Sequence, residues 1–267
     1  MSAWRFVKRH ALGVYAALAI GYMLLPIAVV FLFSFNEPAG RFNYVWRQFT
    51  FSNWVNWDDP PGIRDALLTS IWIAVLASVT ATALGALIAL ALVRHRFRGR
   101  GPLNFLIFLP MAAPEIVLGA SLLTLFLNQT LFTLGFWTIF IAHVMFCISF
   151  VVVTVRARLV DFDRHLEEAA ADLGANEWVT FRKVTLPLLA PAILAGGLLA
   201  FAISVDDFVI TYFNSGSEIT FPVYVWGQAA RGVPPQVNVI GSAIFFVAVG
   251  VMLAHAIRQT RRERRTA

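Results

Sequence analysis

Two adjacent aspartates are the residues of this chain whose type and placement most suggest chemistry. Asp206 and Asp207 lie inside the apolar run LLAFAISVDDFVITY, with no Lys or Arg partner in the run. Neighbouring residues on a helix point about 100° apart, so one carboxylate is expected to face a path and the other a helix interface. Because buried charges without counter-ions are costly, we expect them to meet a mobile cation. The alternative is that one caps a broken helix and the other is neutral.

Glu115 is a third carboxylate in apolar surroundings, roughly midway between Leu103 and Leu127. Pro110 and Pro114 predict a kink or break there, which is tolerated in a membrane only beside protein or a water-filled path. A central carboxylate costs about 2.5–3.5 kcal/mol on insertion scales, so Glu115 should face the interior of a helix bundle. Alternatively, a protonated Glu115 makes a structural hydrogen bond to backbone.

Trp46 belongs to a polar segment that also contains Trp54 and Trp57. Tryptophan faces attract cations, so Trp46 is a candidate wall of a cation path, although an interfacial anchor is the alternative. His143 and Asn104 are weaker candidates. A lone intramembrane histidine with no second histidine four residues on is more typical of a hydrogen bond between helices than of a ligand.

The sequence offers no catalytic constellation. Its five histidines are scattered, without a His-x-x-x-His pair or a serine elbow, and no GxxxxGK[ST] phosphate loop occurs. The single cysteine, Cys147, lies in an apolar run and is expected to be a small buried hydrophobe. We therefore predict a non-catalytic protein that binds no metal or cofactor itself.

Composition indicates that these residues belong to a membrane protein. Hydrophobic residues make up 59% and charged residues 13% of the chain, whereas soluble domains average about 45–50% and 25%. We predict an all-α integral membrane protein, one transmembrane domain over residues 1–267, with six spans of about the 20 residues that a bilayer requires. The predicted spans are residues 11–33, 66–93, 103–127, 131–155, 188–213 and 237–257.

Charge distribution predicts the orientation. All but four of the 21 Lys and Arg residues fall in the two termini and the segments after the second and fourth spans; the exceptions are Arg41, Arg47, Arg64 and Arg231. The positive-inside rule places both termini and the 156–187 loop in the cytoplasm. The net charge of +6 therefore records topology and anionic lipid at the tail, and no nucleic-acid partner is expected.

The 156–187 loop is the long polar interruption in the second half of the chain. Asp163 can cap a first helical piece that Gly174 ends, and Asn176 can cap a second piece before Pro187. Its small residues, Ala169 to Ala171, would let another surface approach closely.

The same loop carries a family resemblance. Glu168-Ala169-Ala170, three residues, Gly174, nine residues, then Val184-Thr185-Leu186-Pro187 resembles the EAA signature of ABC importer permeases, in which Ile is usual at the position of Val184. The resemblance implies the type I permease fold, with this loop as a cytoplasmic coupling helix between spans four and five. Glu168, Ala169, Ala170, Gly174, Leu186 and Pro187 would then form the docking site for an ATPase.

Further segments resemble the polyamine (spermidine/putrescine) importer permeases, most of all the second membrane subunit of that system. They are Ser34-Phe35-Asn36, Ala142-His143-Val144, Asp206 to Ile210 and Arg231 to Pro235. The resemblance implies a bacterial plasma-membrane importer with two permeases, the second of them a different chain. It also implies two ATPase subunits that bind ATP and Mg, and an extracytoplasmic binding protein. Asp206, Asp207, Glu115 and Trp46 would line the path of a polycation.

Three alternatives remain open. A similar permease could import thiamine or ferric iron. A secondary cation transporter would also place acids in the membrane, although such folds commonly contain internal repeats and the two halves of this chain show no self-similarity. A membrane enzyme is the third, and it has no candidate catalytic site.

Overall fold

The structure is a computed structural model that describes residues 3–128 and 133–266, and these residues form helices and no β-strand. The helices are α1 (Ala3–Phe33), α2 (Ser52–Val55), α3 (Ile63–Arg94), α4 (Arg100–Ala112), α5 (Glu115–Leu127), α6 (Phe136–Val160), α7 (His165–Asp172), α8 (Glu177–Thr180), α9 (Leu186–Asp206), α10 (Val209–Asn214), α11 (Phe221–Ala229) and α12 (Pro235–Thr266). A π-helical turn, Phe181–Thr185, directly precedes α9. The all-helical prediction is confirmed.

Four stretches of the described residues are long and apolar enough to cross a membrane. They are Ala11–Phe33 in α1, Ile63–Arg94, Phe136–Val160 and Glu177–Asp206. The α4 and α5 helices, bent by 111° at their junction, count as a fifth if the pair is one span. The apolar part of α12, Pro235–Val251, is shorter.

Two of the predicted spans are not continuous helices. The 103–127 span breaks at Ala113, which is extended (φ −73°, ψ 140°) because the ring of Pro114 disfavours helical geometry in the preceding residue. The 188–213 span breaks after Asp206, where Asp207 is extended (φ −65°, ψ 121°) before α10 begins. The first break was predicted from Pro110 and Pro114. The second break was predicted only as an alternative.

The predicted fourth span also shifts along the chain. Positions 131 and 132 of that prediction lie outside the described residues, and α6 begins only at Phe136. The hydroxyl of Thr138 accepts a hydrogen bond from the backbone N–H of Gly135 at 2.9 Å, which fixes the start of the helix. The helix then continues to Val160, five residues beyond the predicted end.

The chain divides into two compact units, residues 1–63 with 225–267, and residues 64–224. In the first unit, α1 packs on α12, with the rings of Phe31 and Phe246 edge to face at 5.0 Å. The loop after α1 is held by Asn53, whose side-chain amide donates to the carbonyls of Ser34 and Asn36. Gly232 has φ +106° and lies so close to the Arg41 carbonyl that a Cβ atom would not fit.

In the second unit, α6 lies at the centre and α9 packs along it. The predicted burial of Cys147 is confirmed, since it is fully buried in this core. Small residues bring the helices together. A Cβ atom on Gly197 of α9 would lie 2.8 Å from the hydroxyl of Thr82 on α3, and one on Gly85 of α3 would lie 2.8 Å from Val151 on α6. Such close approaches are typical of helix contacts in membranes.

Gly85→Leu is therefore expected to destabilise the second unit. The new side chain would meet Cβ and Cγ1 of Val151 and the carbonyl of Ile148, and overpacking of this kind costs about 1–3 kcal/mol. Thermal unfolding of the detergent-solubilised chain would measure the effect. The matched variant is Gly21→Leu in α1, where nothing lies within 4 Å; equal midpoints for the two variants would contradict the packing argument.

Candidate functional site

The two helix breaks of the second unit meet at one cavity of about 460 Å³. The α4–α5 break contributes Ala113 and Glu115, and the α9–α10 break contributes Asp206 and Asp207. The remaining lining is apolar and partly aromatic: Pro110, Met111, Phe146, Phe150, Ile203, Phe208 and Val209. All three carboxylates predicted from the sequence thus reach the same cavity, although Glu115 is about 90 positions away along the chain from the aspartates.

Glu115 and Asp206 are the exposed acids of this cavity. Among residues 3–128 and 133–266, neither carboxylate has an ion-pair or hydrogen-bond partner. The helices α4 and α9 also end at the cavity, and a helix C-terminus carries partial negative charge. The N-termini of α5 and α10 lie at the same two breaks and offset these dipoles. The two free carboxylates are therefore what makes this a site that favours a cation.

Asp207 has a different role from its neighbour. Its carboxylate accepts hydrogen bonds from the backbone N–H groups of Ile210 at 3.4 Å and Thr211 at 2.8 Å, and from the Thr211 hydroxyl at 2.8 Å. These are donors that the first turn of α10 would otherwise leave unsatisfied. Asp207 therefore caps the second half of the broken helix, in agreement with the alternative weighed from the sequence for one of the two acids.

His143 ties this cap to the central helix. Its Nε2 lies 3.3 Å from Asp207 Oδ2 and 2.9 Å from Thr211 Oγ1, and its Nδ1 lies 2.7 Å from Ser204 Oγ. The side chains of His143 and Asp207 are only 2% and 4% exposed. The expectation that His143 makes hydrogen bonds between helices is confirmed, because it joins α6 to α9 and α10.

The directions of these hydrogen bonds follow from the acceptors. The Thr211 hydroxyl donates to Asp207, so its oxygen can only accept from His143, and Nε2 must carry a proton. In a neutral imidazole, Nδ1 then accepts from the Ser204 hydroxyl. The sequence singled out His143 and Asp207 separately, but nothing in the local pattern linked them with Ser204 and Thr211.

The 156–187 loop contains the two helical pieces that the sequence predicted. Gly174, at φ +84°, ends α7, and the bonds from Gly174 N–H to Ala171 and from Ala175 N–H to Ala170 form a Schellman motif. Asn176 caps α8 by accepting from the Val179 N–H at 2.9 Å. Asp163 accepts from the N–H of His165, which is a bond that a cap at Asp163 would make, although α7 begins at His165 and its N-cap residue is Arg164.

The residues predicted to dock an ATPase lie mostly on the surface of this loop. Glu168, Ala169 and Gly174 are exposed and Ala170 is half-buried, and the neighbouring Leu173 is 90% exposed. Leu186 and Pro187, in the first turn of α9, are exposed as well. An exposed helix with small residues and a protruding leucine is a suitable surface for another protein.

Glu167, which precedes the signature, was not predicted as a functional residue. Its Oε1 accepts hydrogen bonds from Arg94 Nη2 at 2.6 Å and from the Thr185 hydroxyl. Burial by itself would raise the pKa of Glu167, but the hydrogen bonds from Arg94 and Thr185 and the charges of Arg94 and Arg164 hold that pKa below its usual value. From the sequence, Arg94 counted only as one more positive charge on the side predicted to be cytoplasmic.

Trp46 belongs to the first unit, whereas the residues described above belong to the second. It is 42% exposed, and its ring packs edge to face on Phe33 with centroids 6.2 Å apart. This packing fits the interfacial-anchor alternative, and a role for Trp46 in a cation path stays a prediction.

Comparison with known proteins shows the family to which the chain belongs. The family of binding-protein-dependent transport system inner membrane components matches residues 81–259. The spermidine/putrescine transport system permease protein PotC of Haemophilus influenzae is 36% identical over 250 residues, covering 93% of this chain and 95% of that protein. The putrescine transport system permease protein PotI of Escherichia coli is 36% identical over 263 residues, covering 94% and 88%.

Solved structures show the same fold. A bacterial ABC transporter involved in the import of the acidic polysaccharide alginate aligns with a TM-score of 0.68 at 21% identity, covering 97% of this chain and 98% of that one. An amino acid ABC transporter aligns with a TM-score of 0.56 at 16% identity, covering 82% and 100%. With the apolar helices and the family match, these similarities show that the chain belongs to the family of inner membrane permease components of binding-protein-dependent ABC transport systems.

Proposed function

We propose that this chain is one of two permease subunits of an ATP-driven importer and that its cargo is a polyamine such as spermidine or putrescine. The observation that carries the proposal is the cavity at the two helix breaks, with its exposed carboxylates Glu115 and Asp206. The relatives named for spermidine and putrescine transport support the same cargo.

The chemistry of the cavity suits a flexible polycation. A polyamine carries ammonium groups along an apolar chain, so it needs separated carboxylates with apolar surface between them. Glu115 and Asp206 come from different helices, and Phe146, Phe150 and Phe208 line the space with aromatic carbon. Aromatic faces attract cations, and they also pack against methylene groups. Trp46 is retained as a further candidate on the path.

The arrangement in the membrane is part of the proposal. Six spans, counting the α4–α5 pair and the apolar part of α12, put both termini and the 156–187 loop in the cytoplasm. This chain would form one permease domain and half of the path, and the second permease would be a different chain. An extracytoplasmic binding protein would deliver the cargo.

Energy would come from outside this chain. A dimer of ATPase subunits, which would hold ATP and Mg, would dock on Glu168, Ala169, Ala170 and Gly174 of the loop. Leu186 and Pro187 join the loop to α9, and α9 ends at Asp206 beside the cavity. Displacement of the loop would thus tilt the helix that carries the acid, as rigid-body alternating access requires.

Reconstitution with the partner subunits and binding protein tests the proposal. We expect uptake of labelled spermidine or putrescine into proteoliposomes to require ATP and to persist when proton and sodium gradients are collapsed. Thiamine and ferric iron should not compete. Uptake that follows an ion gradient would indicate a secondary transporter, and uptake of thiamine or ferric iron alone would assign the cavity to that solute.

A further inference from the structure

Glu167 joins three segments that are distant in the sequence. It lies on α7, it accepts from Arg94, the last residue of α3, and it accepts from Thr185, at the end of the π-helical turn that leads into α9. Both donors reach the same atom, Oε1. One carboxylate oxygen therefore connects the exposed helix of the loop with two long apolar helices.

The surroundings favour a firm connection. The side chains of Glu167 and Arg94 are 17% and 28% exposed, and Thr185 is fully buried. The guanidinium of Arg94 also lies over the ring of Phe162, 5.6 Å from its centroid. Neighbouring Glu168 differs, because its side chain is 68% exposed and, within the part of the chain that the structure describes, pairs with exposed His165. Glu168 is thus free to meet another protein, whereas Glu167 faces its own chain.

The stretch of chain that connects α7 to α9 is irregular. It runs through the exposed turn at Gly174, the four-residue helix α8 and the π-helical turn. A π-helical turn is an irregular segment that is frequent at functional sites. Movement of α7 could be absorbed along such a path before it reached α9. The Glu167 bonds bypass that path, and they include α3, which the covalent route does not reach.

We propose that Glu167 is a positioning residue that couples α7 rigidly to both α3 and α9, so that a push on α7 moves two membrane helices together. This inference rests on the proposed function, in which an ATPase pushes α7. It adds α3 as a second helix that the loop would move, beside α9, which the signature motif implies. Arg94 is the essential partner of Glu167. Thr185, the residue before α9, donates to the same carboxylate oxygen.

The test compares the spacing of α7 and α3 in the complete complex. Spin labels would be placed at Asp172→Cys and His95→Cys, both exposed, while the native Cys147 is buried. We expect a narrow distance distribution that stays the same between the nucleotide-free and vanadate-trapped states. In Glu167→Gln or Arg94→Gln the distribution should broaden and shift on trapping, and uptake per ATP hydrolysed should fall several-fold.

Two further variants make the outcome decisive. The exchanged pair Arg94→Glu with Glu167→Arg should narrow the distribution again, since it restores the ion pair. Glu177→Gln, on the exposed helix α8 of the same loop, should leave both measurements unchanged. If Glu167→Gln keeps the wild-type distances and coupling ratio, the joint does not exist. A wild-type complex that carries no polyamine but shows the expected distances would instead reject the cargo assignment and retain the joint.

Discussion

Asp206→Asn is expected to remove most polyamine uptake while leaving the amount of folded protein unchanged, and Asp207→Asn is expected to remove folded protein. Asp206 is exposed to the cavity without a partner among the described residues. Its carboxylate is therefore available to a cargo ammonium group. A hydrogen bond to a charged group contributes about 1.5–3 kcal/mol, which corresponds to roughly a 10- to 100-fold loss of apparent affinity.

Asp207→Asn is expected to lose folded protein because of the hydrogen bonds that Asp207 makes. Its carboxylate receives donors from Thr211, Ile210 and His143 in a buried setting. An asparagine can place its oxygen where Oδ2 accepts from Thr211 and His143, but its NH₂ group then faces the Ile210 N–H that Oδ1 accepted. A buried donor left unsatisfied costs about 1–3 kcal/mol, and the remaining bonds lose the strength that the carboxylate charge gave them. Together these losses are a large part of the marginal stability of a fold.

Two kinds of measurement apply to both variants. The first is the amount and thermal midpoint of the protein in the membrane, and the second is the dependence of uptake on cargo concentration. Asp206→Glu keeps the charge and should retain more uptake than Asp206→Asn at equal abundance. The assignment of the two roles would be overturned if Asp206→Asn lost folded protein, or if Asp207→Asn stayed fully folded.

The sequence was sufficient to find the acids but not to separate their roles. A run such as LLAFAISVDDFVITY has the same apolar character whether it forms one helix or two. The break after Asp206 depends on a cap, and the cap depends on His143, which lies on another helix. Residue spacing within one segment carries no information about such a partner. The Pro114 break was predictable because its cause is local, the restriction that proline places on Ala113.

The 156–187 loop also combines local features that the sequence predicted with distant contacts that it did not. Gly174 and Asn176 act on backbone groups a few residues away, so the two short helices were predicted from the sequence. Glu167 instead pairs with Arg94 and Thr185, which lie 73 and 18 positions away. A charge count recorded Arg94 only as one positive charge among many, and its partner Glu167 becomes apparent only when α3 and the loop are seen together.

The His143 network leads to the second large prediction, a contrast between two amide substitutions. The Gln side-chain nitrogen reaches about as far as imidazole Nε2, and the shorter Asn nitrogen reaches only about as far as Nδ1. His143→Gln can therefore still donate to Asp207 and Thr211. His143→Asn can contact Ser204 but leaves Asp207 without the donor from α6.

We therefore expect His143→Asn to lower the thermal midpoint of the solubilised complex by several degrees and to reduce uptake at saturating cargo, with His143→Gln close to wild type in both. The cost for Asn is about 1–3 kcal/mol, the range for a buried polar group that loses its partner. The same two substitutions at exposed His95 should have no effect. If Asn and Gln at position 143 behave alike, then His143 acts through its volume, and the donor from α6 does not hold the helix break in place.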